Sequence, residues 1–73
     1  MATQIVMDHS GDTRHHFDAD DLKALSKAEE RFKFLTAVGF TAAVRDHTGR
    51  ATVTRSFDPT AEETLFFPRL VGG

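Results

Sequence analysis

The chain has no cysteine, tyrosine or tryptophan among its 73 residues. Without cysteine it can form neither disulfides nor thiolate zinc sites. At this length it makes one domain, which buries about 60% of its unfolded surface and is marginally stable. Stability must therefore come from a compact apolar core, to which the seven phenylalanines contribute, with weak homo-oligomer formation as a further source.

Long apolar runs and an excess of basic residues are also missing. No stretch approaches the roughly 18 apolar residues that span a bilayer, and the amino terminus does not read as a signal peptide. Eleven acidic and nine basic side chains are interspersed and give a net charge of −2. A basic patch typical of nucleic-acid binding is not visible. We therefore expect a cytoplasmic protein with no nucleic-acid and no membrane partner.

Two strands, 3–9 and 13–18, are predicted at the start of the chain, joined by the three-residue loop Ser10-Gly11-Asp12. This loop would place Ile5 opposite Phe17. It is preferred to a two-residue loop because Ile5, Met7 and Phe17 then share one face of the hairpin.

A single helix of roughly 18–20 residues is predicted next. Asp18 or Asp20 would cap its start, and Gly39 would end it by taking a left-handed conformation. Apolar residues recur at steps of three and four and draw one stripe along it: Leu22, Leu25, Ala28, Phe32 and Leu35.

The remaining residues predict a second hairpin and a last strand. Strands 40–46 and 50–57 would turn at Thr48-Gly49, with Val44 opposite Val53, which leaves Arg55 on the apolar face. A turn at 58–60 would lead into a short strand at 64–67 that Pro68 stops or moves to an edge.

These elements predict an α+β fold, hairpin–helix–hairpin, with an antiparallel or mixed sheet of four or five strands and one helix packed on one face. Residues 1–67 would form the domain and 68–73 a flexible tail. The expected core is Ile5, Met7, Phe17, Leu22, Leu25, Phe32, Leu35, Phe40, Val44, Val53, Phe57 and Leu65.

Catalytic and metal-binding patterns are weak. His9, His15 and His16 are the candidate metal cluster, but only His9 and His15 share a face in the predicted hairpin, and zinc needs three or four converging ligands. None of the serines lies in a nucleophile motif. We expect no enzyme activity, no cofactor and no metal site.

The carboxyl terminus carries the most specific motif. The order strand–turn–strand–helix–strands–Gly-Gly resembles the ubiquitin-like β-grasp family, including its bacterial sulfur-carrier branch. The resembling residues are Gln4-Ile5, Gly11, Thr13, Glu63-Thr64-Leu65 and Arg69-Leu70-Val71-Gly72-Gly73. The resemblance implies a β-grasp fold and a conjugation tail in which Gly73 is activated while Arg69 and Leu70 are read by an activating enzyme. The whole chain is also similar to short bacterial and phage-encoded proteins that end in Gly-Gly, which implies a bacterial setting.

Two functions remain open on the sequence. One is a small non-enzymatic protein-interaction or accessory module, and the other is a ubiquitin-like modifier or sulfur carrier activated at the Gly73 carboxylate. For the first, Phe34 and Phe66 cannot both face one core with their neighbours, so they and Arg55 form the candidate partner surface. A ββαββ sheet with another strand order is the alternative to the β-grasp.

Overall fold

The computed structural model describes residues 1–68 and has one helix packed against a mixed five-stranded sheet, as the predicted α+β class requires. The elements are β1 (Ala2–Asp8), β2 (Gly11–Phe17), α1 (Leu22–Ala37), β3 (Phe40–Arg45), β4 (Ala51–Thr54) and β5 (Glu63–Pro68). The predicted tail of residues 68–73 lies outside the described residues except for Pro68. That residue belongs to β5 and pairs with Phe40, so the strand runs one residue beyond the predicted domain boundary.

The strand order in the sheet is β2-β1-β5-β3-β4. The last strand of the chain, β5, is therefore central, parallel to β1 on one side and antiparallel to β3 on the other. Pro68 lies at the end of this strand, where the pairing with β1 has already stopped at Phe66. The missing proline N–H thus interrupts no pairing to β1.

The register predicted for the first hairpin is wrong. The loop has two residues, and the pairing places Ile5 opposite Arg14 and Asp8 opposite Gly11. The Asp8 carboxylate accepts hydrogen bonds from the backbone N–H and the hydroxyl of Ser10, which stabilises a tight turn that starts with aspartate and ends with glycine. Local turn chemistry overrides the preference for collecting apolar residues on one face, so Ile5 and Phe17 lie on opposite faces of the sheet.

The second hairpin differs from its prediction by one residue. Val44 lies opposite Thr52, and Ala43 lies opposite Val53. The Asp46 carboxylate accepts from the backbone N–H groups of Thr48 and Arg50, and this holds a loop longer than the predicted two-residue turn. A shift by one residue moves side chains to the other face, so Val53 is 64% exposed and is not part of the core.

The helix is confirmed, but its amino-terminal cap is different. It spans 16 residues, and the cap is Asp21, whose carboxylate accepts from the backbone N–H groups of Lys23 and Ala24. Asp18 instead accepts from the N–H of Asp20 in the turn that precedes the helix, so neither Asp18 nor Asp20 is the cap. At the other end, Gly39 has φ of 111°, the left-handed conformation predicted there.

The core beneath the helix is built from Phe32, Leu35, Ala42 and Phe66, with Val6, Phe40 and Phe57 packed against it. The ring of Phe32 meets the rings of Phe57 and Phe66 edge-on, at centroid distances of 5.9 and 5.7 Å. Leu22 was expected here, but it lies in the first turn of α1 and is 80% exposed.

The sheet also buries apolar residues on the face that does not carry the helix. In register, Leu65 of β5 lies between Ile5 of β1 and Ala43 of β3, and all three are buried. The predicted burial of Ile5 and Leu65 is therefore confirmed, although both point away from α1. The central position of β5 explains this, because both of its faces lie in the middle of the sheet.

Three aspartates that organise turns predict a loss of stability in acid. Hydrogen bonds from Ser10, Thr48 and Thr60 lower the pKa of Asp8, Asp46 and Asp58 below the usual 3.8. A lowered folded-state pKa stabilises the protein above the unfolded-state pKa, and this contribution disappears as the pH falls through the folded-state value. We expect the urea concentration at the midpoint of unfolding to decrease as the pH falls below about 4. The triple variant D8N/D46N/D58N should show a shallower fall, and an unchanged pH profile would contradict the role of these turns.

Candidate functional site

A groove lies between the outer strand β2 and one flank of α1, with a volume of about 350 Å³. We call this cleft the edge groove. It is lined by Arg14, His15, His16, Phe17, Ala24, Lys27 and Arg31. Among residues 1–68, β2 is the outermost strand on this side of the sheet and pairs with β1, so one long side of the groove is an edge of the sheet.

The helix contributes a continuous stripe to this side. Lys23, Lys27 and Arg31 recur every four residues and therefore lie one above the other. Phe34 and Val38 continue the same flank towards the carboxyl end of the helix, and they are 65% and 57% exposed. The flank is thus basic along its first turns and apolar at its end.

The buried side chain of Gln4 links the sheet to the helix that lines the groove. Gln4 of β1 is fully buried, and its Nε2 donates to the carbonyl oxygen of Ala28 at 3.0 Å. Its Oε1 accepts a hydrogen bond of 2.7 Å from Nη1 of Arg31. Both ends of the side chain are therefore satisfied, which offsets the cost of burying an amide. The contact also holds the Arg31 guanidinium in place at the groove.

Arg14, Lys27 and Arg31 are among the residues that line the groove, and in the described part of the chain no carboxylate is among them. The ion pairs found among residues 1–68 lie elsewhere, between Lys33 and Glu29 at 4.0 Å and between Arg45 and Glu63 at 3.0 Å. Burial, and then the positive charge of Arg31, lower the pKa of His15 below its ordinary 6.5. The groove therefore collects basic residues in a chain with a net charge of −2.

The residues predicted as a partner surface do not form one surface. Phe34 is exposed, as that prediction requires. Phe66 is fully buried beneath the helix, so the prediction that it belongs to a surface is wrong. The physical reason is the strand order: in a central strand, the side chain that alternates away from Leu65 points into the helix-covered core.

Arg55 is exposed but lies at the other side of the molecule. It follows β4, the opposite edge of the sheet, and lines a second cleft with Thr36, Gly39 and Phe40. Its predicted place on the apolar side opposite Ala42 is wrong, because Thr54 occupies that position. The possible conjugation tail, Arg69, Leu70, Gly72 and Gly73, lies outside the described residues.

The histidines are spread over different surroundings. His9 is in the loop after β1, His15 faces the groove, and the ring of His16 is hydrogen-bonded to the Thr3 hydroxyl at 3.0 Å. Within residues 1–68, no three histidine or carboxylate side chains are grouped so that they could hold a metal ion. In the same part of the chain, no helix is long and apolar enough to cross a bilayer.

Sequence reasoning missed the edge groove and the contact between Gln4 and Arg31. One signal was available: Lys23, Lys27 and Arg31 repeat at steps of four on the predicted helix. Comparison of the chain with protein-family models, curated proteins and solved structures finds no match. The function is therefore argued from the geometry of the site.

Proposed function

We propose that the protein is a small, non-enzymatic protein-interaction module that acts in the cytoplasm. The observation that carries this proposal is the pair Phe34 and Val38, which are 65% and 57% exposed one helical turn apart, beside the edge groove. Large apolar side chains grouped on a surface favour burial against a partner. Phenylalanine next to arginine is also a composition enriched at protein interfaces.

Site-specific photo-crosslinking in cells tests this proposal. Phe34 is replaced by the photoreactive analogue p-benzoylphenylalanine, which retains an aromatic side chain. The control places the same group at Glu29, an exposed helical position about 140° around the helix from Phe34. We expect a discrete adduct with another protein from position 34 and none from position 29. No adduct at position 34, or the same adducts from both positions, would contradict the proposal.

A second candidate is a ubiquitin-like modifier or sulfur carrier of β-grasp type in a bacterial setting. Two observations support it: β5 is the central strand and pairs on both sides, and it is followed in sequence by Arg69-Leu70-Val71-Gly72-Gly73. In this candidate an activating enzyme adenylates the Gly73 carboxylate, whose lack of a side chain leaves it unhindered.

Deleting Gly72-Gly73 in the crosslinking strain separates the two candidates. An interaction module retains the adduct at position 34 after the deletion. A carrier forms a covalent conjugate or a thiocarboxylate, detectable by intact-protein mass spectrometry, that the deletion abolishes. Detection of such a product with the full-length chain would establish the second candidate.

A further inference from the structure

We infer that the protein forms a two-fold homodimer in which the outer strand β4 of one copy pairs antiparallel with β4 of a second copy. The five strands of each copy then join into one continuous sheet. This surface is separate from the edge groove and from Phe34, so the inference goes beyond the proposed interaction function. It follows from three properties of β4: its position in the sheet, its lack of charge, and an exposed valine.

The position of β4 leaves one of its sides available. Within residues 1–68, β4 (Ala51–Thr54) is the last strand in the sheet order and pairs with β3. In an antiparallel ladder, alternate residues direct their N–H and C=O groups towards each neighbouring strand, so part of the β4 backbone points away from β3. Ala51, Thr52 and Val53 are also exposed. A second extended strand can therefore reach this edge and bond to it.

The side chains of β4 do not prevent such pairing. Sheet edges are commonly protected from association by charged residues, proline or bulges. The sequence of β4 is Ala-Thr-Val-Thr, which has neither charge nor proline and is rich in the β-branched residues that favour an extended chain. The opposite edge, β2, carries Asp12, Arg14 and two histidines. The contrast identifies β4 as the edge at which the chain associates.

Two-fold symmetry restricts how two copies of β4 can pair. When the axis is perpendicular to the sheet, the residue on the axis faces its own counterpart. Val53 is 64% exposed and lies opposite Ala43 of β3, on the face without the helix. Pairing centred on Val53 places the two valines together and sets Thr52 opposite Thr54, a favourable pair of β-branched side chains. Moving the axis to Thr52 would pair each valine with Ala51 and bury less apolar surface.

The charges at the two ends of β4 fit the same register. The strand is flanked by Arg50 and Arg55. With Val53 on the axis, Arg55 of one copy lies opposite the small side chain of Ala51, and Arg50 lies opposite Ser56. No arginine then faces an arginine, so the pairing avoids the repulsion of like charges directly opposite one another. A second copy is therefore matched to β4 in both apolar surface and charge.

The expected interface is small. Stable protein complexes bury about 1,200–2,000 Å² of surface, and one four-residue strand against another falls below that range. Dimers should therefore form at high protein concentration and dissociate on dilution. We expect sedimentation velocity to show a monomer at about 10 µM and a weight-average mass that rises towards that of the dimer at about 1 mM.

Single-cysteine variants test the register directly, because the full-length chain has no cysteine of its own. Only a residue on the two-fold axis lies close enough to its counterpart to form a disulfide between identical chains. Val53→Cys should give a disulfide-linked dimer under mild oxidation at about 1 mM protein. Ala51→Cys, on the same strand and face, is the matched control. Its counterpart would lie four positions along the strand, roughly 13 Å away, so its yield should be at least about tenfold lower.

Two substitutions test association without oxidation. Val53→Lys places like charges together on the axis and should abolish the rise in mass with concentration. Val38→Lys makes the same change at a valine that is 57% exposed at the carboxyl end of α1, and it should leave the rise unchanged. Both positions are exposed, so circular dichroism should show a folded chain for each variant.

Any of three results would overturn the inference. They are a monomer mass that stays constant up to about 1 mM, equal disulfide yields from positions 51 and 53, or association that is lost in Val38→Lys and kept in Val53→Lys. The last result would assign self-association to the helix flank that carries Phe34. The photo-adduct with another protein at position 34 is measured independently, so the homodimer and the interaction function can fail separately.

Discussion

Replacing Phe66 by alanine is expected to destabilise the protein by roughly 3–5 kcal/mol, which exceeds or matches the stability of so small a domain. Phe66 is fully buried, with 0% of its surface accessible to water, and its ring packs edge-on against the ring of Phe32. Removing the ring loses the free energy gained by burying it and leaves a cavity between the helix and the centre of the sheet. Circular dichroism should show a largely unfolded chain, or a greatly lowered thermal midpoint.

Phe34→Ala provides the matched control, because it makes the same chemical change at a position that is 65% exposed. Its effect on stability should be within about 1 kcal/mol of zero, since little buried surface is lost. Similar melting of the two variants would contradict the burial of Phe66 in the core. The comparison also matters for the crosslinking experiment, which requires that position 34 tolerate substitution.

Gln4→Ala is expected to cost roughly 2–4 kcal/mol of unfolding free energy. The substitution removes two hydrogen bonds, one of them from the charged Arg31, and leaves a void in a fully buried place beneath the helix. Urea denaturation followed by circular dichroism measures the change. A loss below about 0.5 kcal/mol would contradict the assigned role of Gln4.

A double-mutant cycle separates the effect of the hydrogen bond between Gln4 and Arg31 from the effect of the void that Gln4→Ala leaves. Arg31→Met retains much of the apolar stem of the side chain and removes the guanidinium that donates to Gln4. If the hydrogen bond contributes, the double variant should be less destabilised than the sum of the single variants, by about 1 kcal/mol or more. Strict additivity would mean that the contact with Arg31 contributes nothing, and that Gln4 acts through packing and its hydrogen bond to the Ala28 carbonyl.

The groove and the buried residues beneath the helix share one hydrogen bond, from Arg31 to Gln4. The same hydrogen bond that satisfies a buried amide also places a guanidinium at the free edge of the sheet. A substitution at Gln4 should therefore affect both the stability of the domain and the position of the Arg31 guanidinium.

The two hairpins show why one part of the sequence analysis was wrong. Both loops have the sequence Asp-His-Ser/Thr-Gly, at Asp8–Gly11 and at Asp46–Gly49, and in both the aspartate carboxylate accepts from the backbone two residues later. This turn signal was present in the sequence, but the predicted register of the first hairpin followed the apolar alternation, and that of the second assumed a two-residue turn at Thr48-Gly49. The turn determined the pairing because it satisfies backbone groups locally.

The sequence by itself determined the order of the elements, the single helix and its glycine end, since these depend on contacts between residues a few positions apart, as the left-handed Gly39 shows. Only the tertiary structure decided that β5 lies in the centre of the sheet, that Phe66 is core, and that Gln4 reaches Arg31. Those facts depend on which strands become neighbours. Residues 4 and 31 are far apart in the chain, and no local pattern of period two or 3.6 contains that information.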